Sequence, residues 1–439
     1  MTNQKIAVGL DIGTTTVSAI VLDAKERTVQ QIYNVENDSK ILSDHPGEFI
    51  QSPNRIWEIV KELLDDILLN YSVTSIGVTG QMHGILLISP DGEALSPLYT
   101  WQDMQASLGD NSSCEQLEKL TKTRVPAGYG LATLYHLIQT NKVPTLPYVT
   151  GTIMDFITMK LCGLSRPVMH ITNAASWGLF STSRKHFDSD LLKRAGISEE
   201  ILPVVTAETK VIGTYQNIPV AVAIGDNQAA FMGSVNDPDK TLLVNIGTGS
   251  QVSLLSDKLP EEESLLVEAR PFDGERLLYS GSCLCGGRSY ALLEKFFRQF
   301  ATKCGLENKP YFDVINCLAK EGLASGNIVN ISTTFAGTRE NPNLRGAITN
   351  IGEENFTPES FAAGLLVGMA EELYQLYQKM PHDGITKLVA SGNGVRKNPN
   401  FCRVLEDVFQ MKLTIPDHTE EAAYGAAMFG AKALISNIM

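Results

Sequence analysis

Two short stretches of this chain could do phosphate chemistry, and they are near copies of one another. The first is DIGTTT, Asp11 to Thr16, and the second is NIGTGS, Asn245 to Ser250. A Gly-Thr tip between two β-rich runs gathers backbone N–H groups and hydroxyls into a shallow concavity. Such nests bind anions because several donors converge on one point. Glycine suits a position where the chain comes close to a ligand, since a Cβ would collide with it. Two such loops would grip a polyphosphate from two sides. The one difference between them has a chemical meaning. Asp11 can hold a hydrated Mg²⁺, which prefers hard oxygen ligands, whereas an acid at position 245 would repel phosphate and the amide of Asn245 can donate to it. Two ordinary glycine turns in a β-rich protein would explain either stretch alone, but not the pair.

A third stretch, ASGNGVRKNP (Ala390 to Pro399), follows the apolar run TKLVA and precedes FCRVLEDVF. Strand, glycine turn and helix in that order aim helix N–H groups at a ligand. Gly392 and Gly394 would let a flat base or a ribose come close.

These loops need frames to carry them. IAVGL and VSAIVLD flank the first turn as a strand pair. IWEIVKELLDDILL, Ile56 to Leu69, repeats apolar residues at helical spacing. SIGVTG reads as a short buried strand leading into GQMHG, and LLISPDGEALSP carries the PDG turn of a hairpin. From Thr100 to Pro219 the pattern is mixed and richer in helix. A second β-rich start appears at VAVAIGD, Val220 to Asp226, and continues into TLLVNIGTGSQVSLLSD. Aligned without gaps, DIGTTTVSAIVLD and NIGTGSQVSLLSD share Ile, Gly, Thr and the closing Asp. Helical patterns follow in SYALLEKFFRQF, SFAAGLLVGMAEELYQLYQ and AAYGAAMFGAKALI. The repeat predicts two closely packed lobes with a hinge, residues 1–230 and 231–439.

Bulk properties set the outer limits. A chain of 439 residues exceeds one small core and suggests about two to three domains. Its 43% hydrophobic and 19% charged residues are those of an ordinary globular protein. A net charge of -13 argues against binding duplex nucleic acid, though not against a small phosphorylated ligand. No run approaches the roughly 18 apolar residues of a membrane span, and MTNQKIAVGLDIG lacks the marks of a secretory signal. The seven scattered cysteines read as reduced thiols in a cytoplasmic protein, and no CxxC or HxxxH pattern builds a zinc site.

In this order, DIGTT, NIGTG and SGNGVRKN resemble the phosphate-1, phosphate-2 and adenosine motifs of the actin–hexokinase–chaperone ATPase fold. Within that fold IGDNQAA (Ile224 to Ala230), GQMHG and EEAAYGAA (Glu420 to Ala427) are similar to the FGGY carbohydrate kinases. GQMHG is shared with xylulokinases, while TWQD, GTIMDFI, KLCGLSRPVMH and TNAASWGLFST are more similar to the sedoheptulokinase branch. The likeness covers essentially the whole chain.

The resemblance implies an α/β protein of two actin/hexokinase-like (ribonuclease H-like) lobes with a nucleotide cleft between them, using ATP and Mg²⁺. It implies that Asp226 is the catalytic base for a sugar's terminal hydroxyl and that Asp11 orients metal-bound water, both carboxylates lying at the metal. Gly13, Thr14, Thr15, Gly247, Thr248 and Gly249 are expected at the phosphates, with Gly286, Gly392, Asn393 and Asn398 as further cofactor-binding residues. Gln81, Met82 and His83 fall in the family's substrate segment, and Trp101 with Asp103 would supply a ring and a hydroxyl acceptor. Asn173, Ser176, Asn227 and Gln228 are further sugar-binding candidates.

The chain also departs from the family. Ser18 stands where many relatives carry a basic residue. WQDMQ replaces W-x-D-G-R, so Gln105 takes the place of an arginine and Met104 that of a glycine. Ser391 and Asn393 interrupt the usual run of glycines, and the chain is shorter than typical members.

The expected activity is ATP-dependent phosphorylation of a keto-sugar, sedoheptulose first, with xylulose or another pentose or polyol as the alternative. A non-catalytic sugar-sensing ATPase of the same fold competes less well. A regulator would carry a helix-turn-helix near its N-terminus, a chaperone a peptide-binding domain after Met439, and a pseudokinase would have lost Asp11 or Asp226. A monomer or homodimer without membrane or nucleic-acid partners is expected.

Overall fold

The computed structural model describes residues 5–436 apart from 146, 261–265, 339 and 342. By its contacts the chain divides into two units. One comprises residues 1–233, 270–275 and 418–439, the other residues 234–269 and 276–417.

The first unit is organised on a six-stranded sheet. Its order is Val211–Tyr215, Ile218–Ala221, Val73–Gly80, Ile6–Ile12, Thr16–Asp23, Thr28–Glu36. The central strand Ile6–Ile12 runs antiparallel to Thr16–Asp23 through the Gly-Thr turn and parallel to Val73–Gly80. Its sequence IAVGLDI is apolar almost throughout because both faces are covered. Alternation divides the residues between them. Ile6, Val8, Leu10 and Ile12 meet Ile56, Ile59, Val60, Leu63, Leu64 and Ile67 of the helix Pro53–Asn70. Ala7 instead meets Ala423, Tyr424 and Ala427 of the helix Glu421–Ser436. The first of these helices starts where Ser52 accepts the Arg55 N–H and Pro53 occupies the first turn, which needs no donor there.

The final helix lies directly on the sheet. A Cβ on Gly9 would sit 1.9 Å from the Ala423 carbonyl oxygen, and one on Gly77 would sit 1.8 Å from that of Ala426. On the helix itself, a Cβ on Gly425 would sit 1.8 Å from the Ala229 carbonyl oxygen. The small-residue run AAYGAAMFGA therefore fits a surface made by glycines far away in sequence. A single boundary near Ala230 misses this return of the C-terminal helix to the first unit. Gly77→Val is expected to cost about 3 kcal/mol or more by overpacking this seam. Urea unfolding of the variant measures it, and a loss under about 1 kcal/mol would mean the helix can move aside cheaply.

The second unit repeats the plan. Its sheet has the order Val267–Pro271, Leu277–Cys283, Ser250–Ser256, Thr241–Ile246, Lys387–Ser391, Leu413–Thr414. Thr241–Ile246 again has an antiparallel neighbour across a Gly-Thr turn and a parallel neighbour on its other side. The helix Pro358–Tyr377 packs Ala362, Leu365, Leu366, Met369 and Leu373 into the core beneath it. Two like turns at the ends of two like central strands are thus products of one topology used twice.

Candidate active site

In the first unit the ends of three neighbouring strands meet, the position where open α/β sheets bind ligands. Asp11 lies near the end of the central strand, opposite Ser18 on one side and Thr79 on the other. Asp226 opens the helix Asp226–Ser234. The loop before it is fastened to Val73–Gly80, because Ile224 N donates to Val78 O at 3.0 Å and Thr79 Oγ1 donates to Ile224 O at 2.7 Å. The Asp226 carboxylate accepts the backbone N–H groups of Asn227 and Met82. GQMHG therefore reaches this acid through its main chain, while the Met82 side chain is buried.

The two acids do not share one electrostatic environment. Burial raises the Asp11 carboxyl to about 7, and the charges of Asp226 and then Glu420 push in the same direction. Burial also raises Asp226, to about 6, but the positive charge of Arg270 and the two backbone N–H groups hold it lower. The residue opposite Asp11 brings no cation: Ser18 donates to Asn34 Oδ1 at 2.7 Å, and Asn34 Nδ2 reaches Glu420 Oε1 at 3.4 Å. A carboxylate that titrates near 6 is ionised at neutral pH and still basic enough to take a proton in a transition state.

Arg270→Ala should therefore raise the Asp226 pKa further and move the acid limb of the kcat/KM profile upward by roughly half a pH unit or more. An unmoved limb would mean that Asp226 is not the group being titrated.

The Gly13–Thr15 turn is held from behind. Gly13 N donates to Thr16 O at 2.9 Å, closing the hairpin. The Gly13, Thr14 and Thr15 carbonyls accept from Asn37 Nδ2 (2.8 Å), Gln51 Nε2 (2.8 Å) and Asn37 N (2.9 Å). Tying up these oxygens removes acceptors that would repel an anion. Thr14 Oγ1 accepts from Trp101 Nε1 at 3.0 Å and donates to Gln81 Oε1 at 3.3 Å, while Gln81 Nε2 donates to Gln51 Oε1 at 2.7 Å. Asn37 and Gln51 carry no motif, and no local signal in the sequence marks them.

A family model for the N-terminal domain of the FGGY family of carbohydrate kinases matches residues 6–243, and one for the C-terminal domain matches residues 242–434. The chain belongs to the FGGY family of carbohydrate kinases. It is 26% identical to sedoheptulokinase from Mus musculus, over 98% of each chain. It is also 21% identical to a xylulose kinase from Staphylococcus epidermidis, over 98% of this chain and 88% of the other. The solved ligand-bound xylulose kinase from Lactobacillus acidophilus matches with a TM-score of 0.83 at 18% identity, covering 99% of this chain and 90% of that one. Both units thus have the actin/hexokinase-like α/β fold, and the protein is a phosphotransferase that takes its phosphoryl group from ATP. Among the described residues no helix is long and apolar enough to cross a membrane.

In this FGGY kinase the sugar-side candidates separate into presented and buried groups. Trp101 is 48% exposed, and Asn227 and His83 are half-buried. His83 adopts φ +72°, stacks on Tyr129 at 4.4 Å between ring centres, and donates from Nδ1 to the Ser176 carbonyl at 2.8 Å. Gln81 is buried in the bonds that hold the Thr14 turn.

Five further sugar candidates have buried side chains. Met82 contributes its side chain to the core. Asp103 is buried and accepts from Phe49 N, Gln105 N and Gln105 Nε2, which ties its carboxylate to its own loop. Asn173 is fully buried and donates to Thr152 Oγ1 and Asp155 Oδ2. Gln228 is fully buried and donates to Pro271 O at 2.9 Å. Ser176 is buried as well, donating to Asn173 O. Gln105, in the place of the family's arginine, accepts from Lys142 Nζ at 3.1 Å, so a cation from another segment does reach this loop.

The second unit carries the other expected cofactor residues. Gly247 and Thr248 are exposed at the tip of their turn. Its carbonyls are again occupied: Gly247 O accepts from Gly287 N at 2.9 Å, and Thr248 O from Gly286 N and Arg288 N at 3.0 and 3.1 Å. The turn thus rests on the start of the helix Gly287–Lys303. Asn245 donates its amide to Ser391 Oγ at 2.9 Å, which joins this loop to the third motif. Gly392 has φ +89°, and a Cβ there would lie 2.5 Å from Ile246 O, so glycine is required by both conformation and space. Asn393 is exposed beside it. Asn398, expected at the cofactor, is buried as the N-cap of the helix Pro399–Phe409, accepting from Phe401 N at 3.1 Å.

Glu420 and Arg270 were not among the expected site residues. Glu420 lay in a recognised run, EEAAYGAA, without an assigned role, and its φ of +60° just before the final helix is a tertiary detail. Nothing in the sequence around Arg270 singles it out, because its relation to Asp226 comes from folding alone.

Proposed function

We propose that this kinase transfers the γ-phosphoryl group of ATP to the terminal hydroxyl of sedoheptulose, giving sedoheptulose 7-phosphate and ADP. The observation that carries the choice of sugar is the end-to-end likeness to the mouse sedoheptulokinase, with each chain covering 98% of the other. The second reading is a pentulose, favoured by GQMHG and by the likeness to xylulose kinases.

In this reading Asp226 accepts the proton of the attacking hydroxyl, and Met82 N–H, Asn227 N–H and Arg270 keep it ionised and aimed. Trp101 and His83 offer an aromatic wall and a polar edge to the sugar, and Asn227 follows the base directly in the chain. The Gly13–Thr15 turn meets phosphate oxygens, and in the second unit Gly247, Thr248, Gly249 and Gly286 do the same, with Gly392 and Asn393 at the adenosine.

Asp11 and Asp226 would hold a hard divalent cation: burial and the charge of Asp226 raise the Asp11 carboxyl with no cation set against it, while Asp226 is opposed by the single charge of Arg270. Among the described residues no three His, Cys, Asp or Glu groups converge, so Mg²⁺ would complete its shell with water and phosphate. Bound Mg²⁺ supplies neutralisation of the phosphate charge.

A coupled ADP-release assay over sedoheptulose, xylulose, ribulose, fructose and glycerol tests the substrate. We expect kcat/KM for sedoheptulose to exceed the others by about tenfold or more, the discrimination that a well-formed hydroxyl contact supplies. A pentulose at the top of the series would replace this reading with the second one.

A further inference from the structure

We propose that Asp155 is a positioning residue for phosphoryl transfer, acting through the short helix Ile171–Ala174 on Asp226 and on His83 together. The proposal rests on Asp226 being the base. Asp155 stands in the first turn of the helix Ile153–Cys162 and closes a capping box with Thr152: Thr152 N and Oγ1 donate to its Oδ2 at 3.2 and 2.6 Å, and Asp155 N donates to Thr152 Oγ1 at 3.4 Å. A capping box is complete with two residues. Here a third enters, since Asn173 Nδ2 donates to Asp155 Oδ2 at 2.9 Å and to Thr152 Oγ1 at 2.7 Å.

Asn173 belongs to a helix of one turn, and that turn touches the site on both sides. On one side Thr172 Oγ1 accepts from Gly225 N at 3.0 Å, the residue immediately before Asp226. The same hydroxyl lies 2.9 Å from His170 Nδ1. On the other side Ser176 Oγ donates to Asn173 O at 2.7 Å and accepts from His83 N at 3.3 Å, while the Ser176 carbonyl accepts from His83 Nδ1. His83 holds a left-handed backbone, which a non-glycine residue keeps only where its surroundings enforce it. Four residues are too few for a helix to be stable by itself, so what fixes this one fixes the two loops with it.

Asp155 and Asn173 are both fully buried, and Asp155 Oδ1 and Asn173 Oδ1 meet no protein hydrogen-bond partner. A helix start does not need that much buried polarity, and buried polar atoms without partners are retained at a cost.

The test uses the full chain, with steady-state kinetics in both substrates and thermal unfolding alongside. Asp155→Ala is expected to lower kcat about tenfold and raise the sugar KM several-fold, with the ATP KM within about twofold of the parent. Asp155→Asn keeps an acceptor for Asn173 and Thr152 and should return both parameters to within about threefold. A folded Asp155→Ala with parental kcat and sugar KM and only a lower Tm overturns the proposal, as does an asparagine variant no better than alanine. If the alanine variant does not fold, Thr172→Val decides. It leaves the capping box intact and removes the acceptor from Gly225 N, so kcat must fall, and an unchanged kcat ends the proposal. Failure here leaves the identity of the base standing, because that is tested at Asp226 itself.

Discussion

Asp226→Asn is expected to lower turnover by about two orders of magnitude or more, while sugar and nucleotide affinities stay close to those of the parent. A sugar hydroxyl is a weak nucleophile at neutral pH, and phosphoryl transfer otherwise depends on positioning and charge stabilisation. A placed base contributes roughly 10²- to 10⁴-fold, about 3 to 5 kcal/mol of barrier. Asparagine keeps the shape, and its oxygen can still accept the Met82 and Asn227 N–H groups that hold Asp226, but it cannot take a proton. Removing the charge also relieves Asp11, whose carboxyl is raised in part by Asp226. If Asp226, raised by burial to about 6, is the base, the acid limb expected from it should vanish from whatever activity remains. Steady-state kinetics with calorimetric titration of both ligands checks this. Turnover near that of the parent would place the base elsewhere and remove IGDNQAA from the centre of the chemistry.

Asp11→Asn should make the metal-free protein more stable and the enzyme nearly inactive. In the fold Asp11 titrates at about 7, far above its ordinary 3.8. The folded state therefore binds more protons than the unfolded chain between about pH 4 and 7. Stability contributed by that difference is present below the unfolded pKa and is lost as pH rises through the folded one. At pH 8 the parent bears the full penalty of an ionised Asp11 beside Asp226 and Glu420, and the amide does not. The variant should exceed the parent in unfolding free energy by about 1 to 3 kcal/mol at pH 8, with the gap closing toward pH 4. Turnover should fall by about 100-fold or more, as it does when charge stabilisation of the transferring group is lost. Mg²⁺ is expected to raise the parent's Tm by binding the folded state and should not do so in the variant. A variant less stable than the parent at pH 8, or one still stabilised by Mg²⁺, would show that Asp11 has a different role.

Much of this molecule was legible locally. The strand–turn–strand around Asp11 and its copy around Asn245 were readable because Gly and Thr at a tip between β-branched runs leave the chain few alternatives. The amphipathic helix Pro53–Asn70 was readable from its apolar spacing. Asp226 was singled out by the resemblance and by its place before the second hairpin, but not at a strand end as VAVAIG suggested: the strand stops at Ala221 and the acid opens the following helix.

What could not be read was which way polar side chains point and which distant segments meet. Asn173, Gln228 and Asp103 are polar residues in motifs, and types suited to sugar recognition are equally suited to buried hydrogen bonds. Only packing turned them toward Asp155, Pro271 and the Phe49–Gln105 loop. Asn398 did carry a local signal, an asparagine directly before Pro399, which is the signature of a helix start rather than of a ligand contact. Arg270 and Glu420 reach Asp226 and Asp11 from far along the chain. For Glu420 the cause is visible: glycines at 9 and 77 let the final helix lie backbone to backbone on the first sheet, and Gly425 lets it do the same against Ala229 of the helix Asp226–Ser234. The short-range pattern of apolar and turn residues determines the elements and their loops. The field at the two aspartates is decided by charges that close packing delivers from remote segments, and no sequence window holds both.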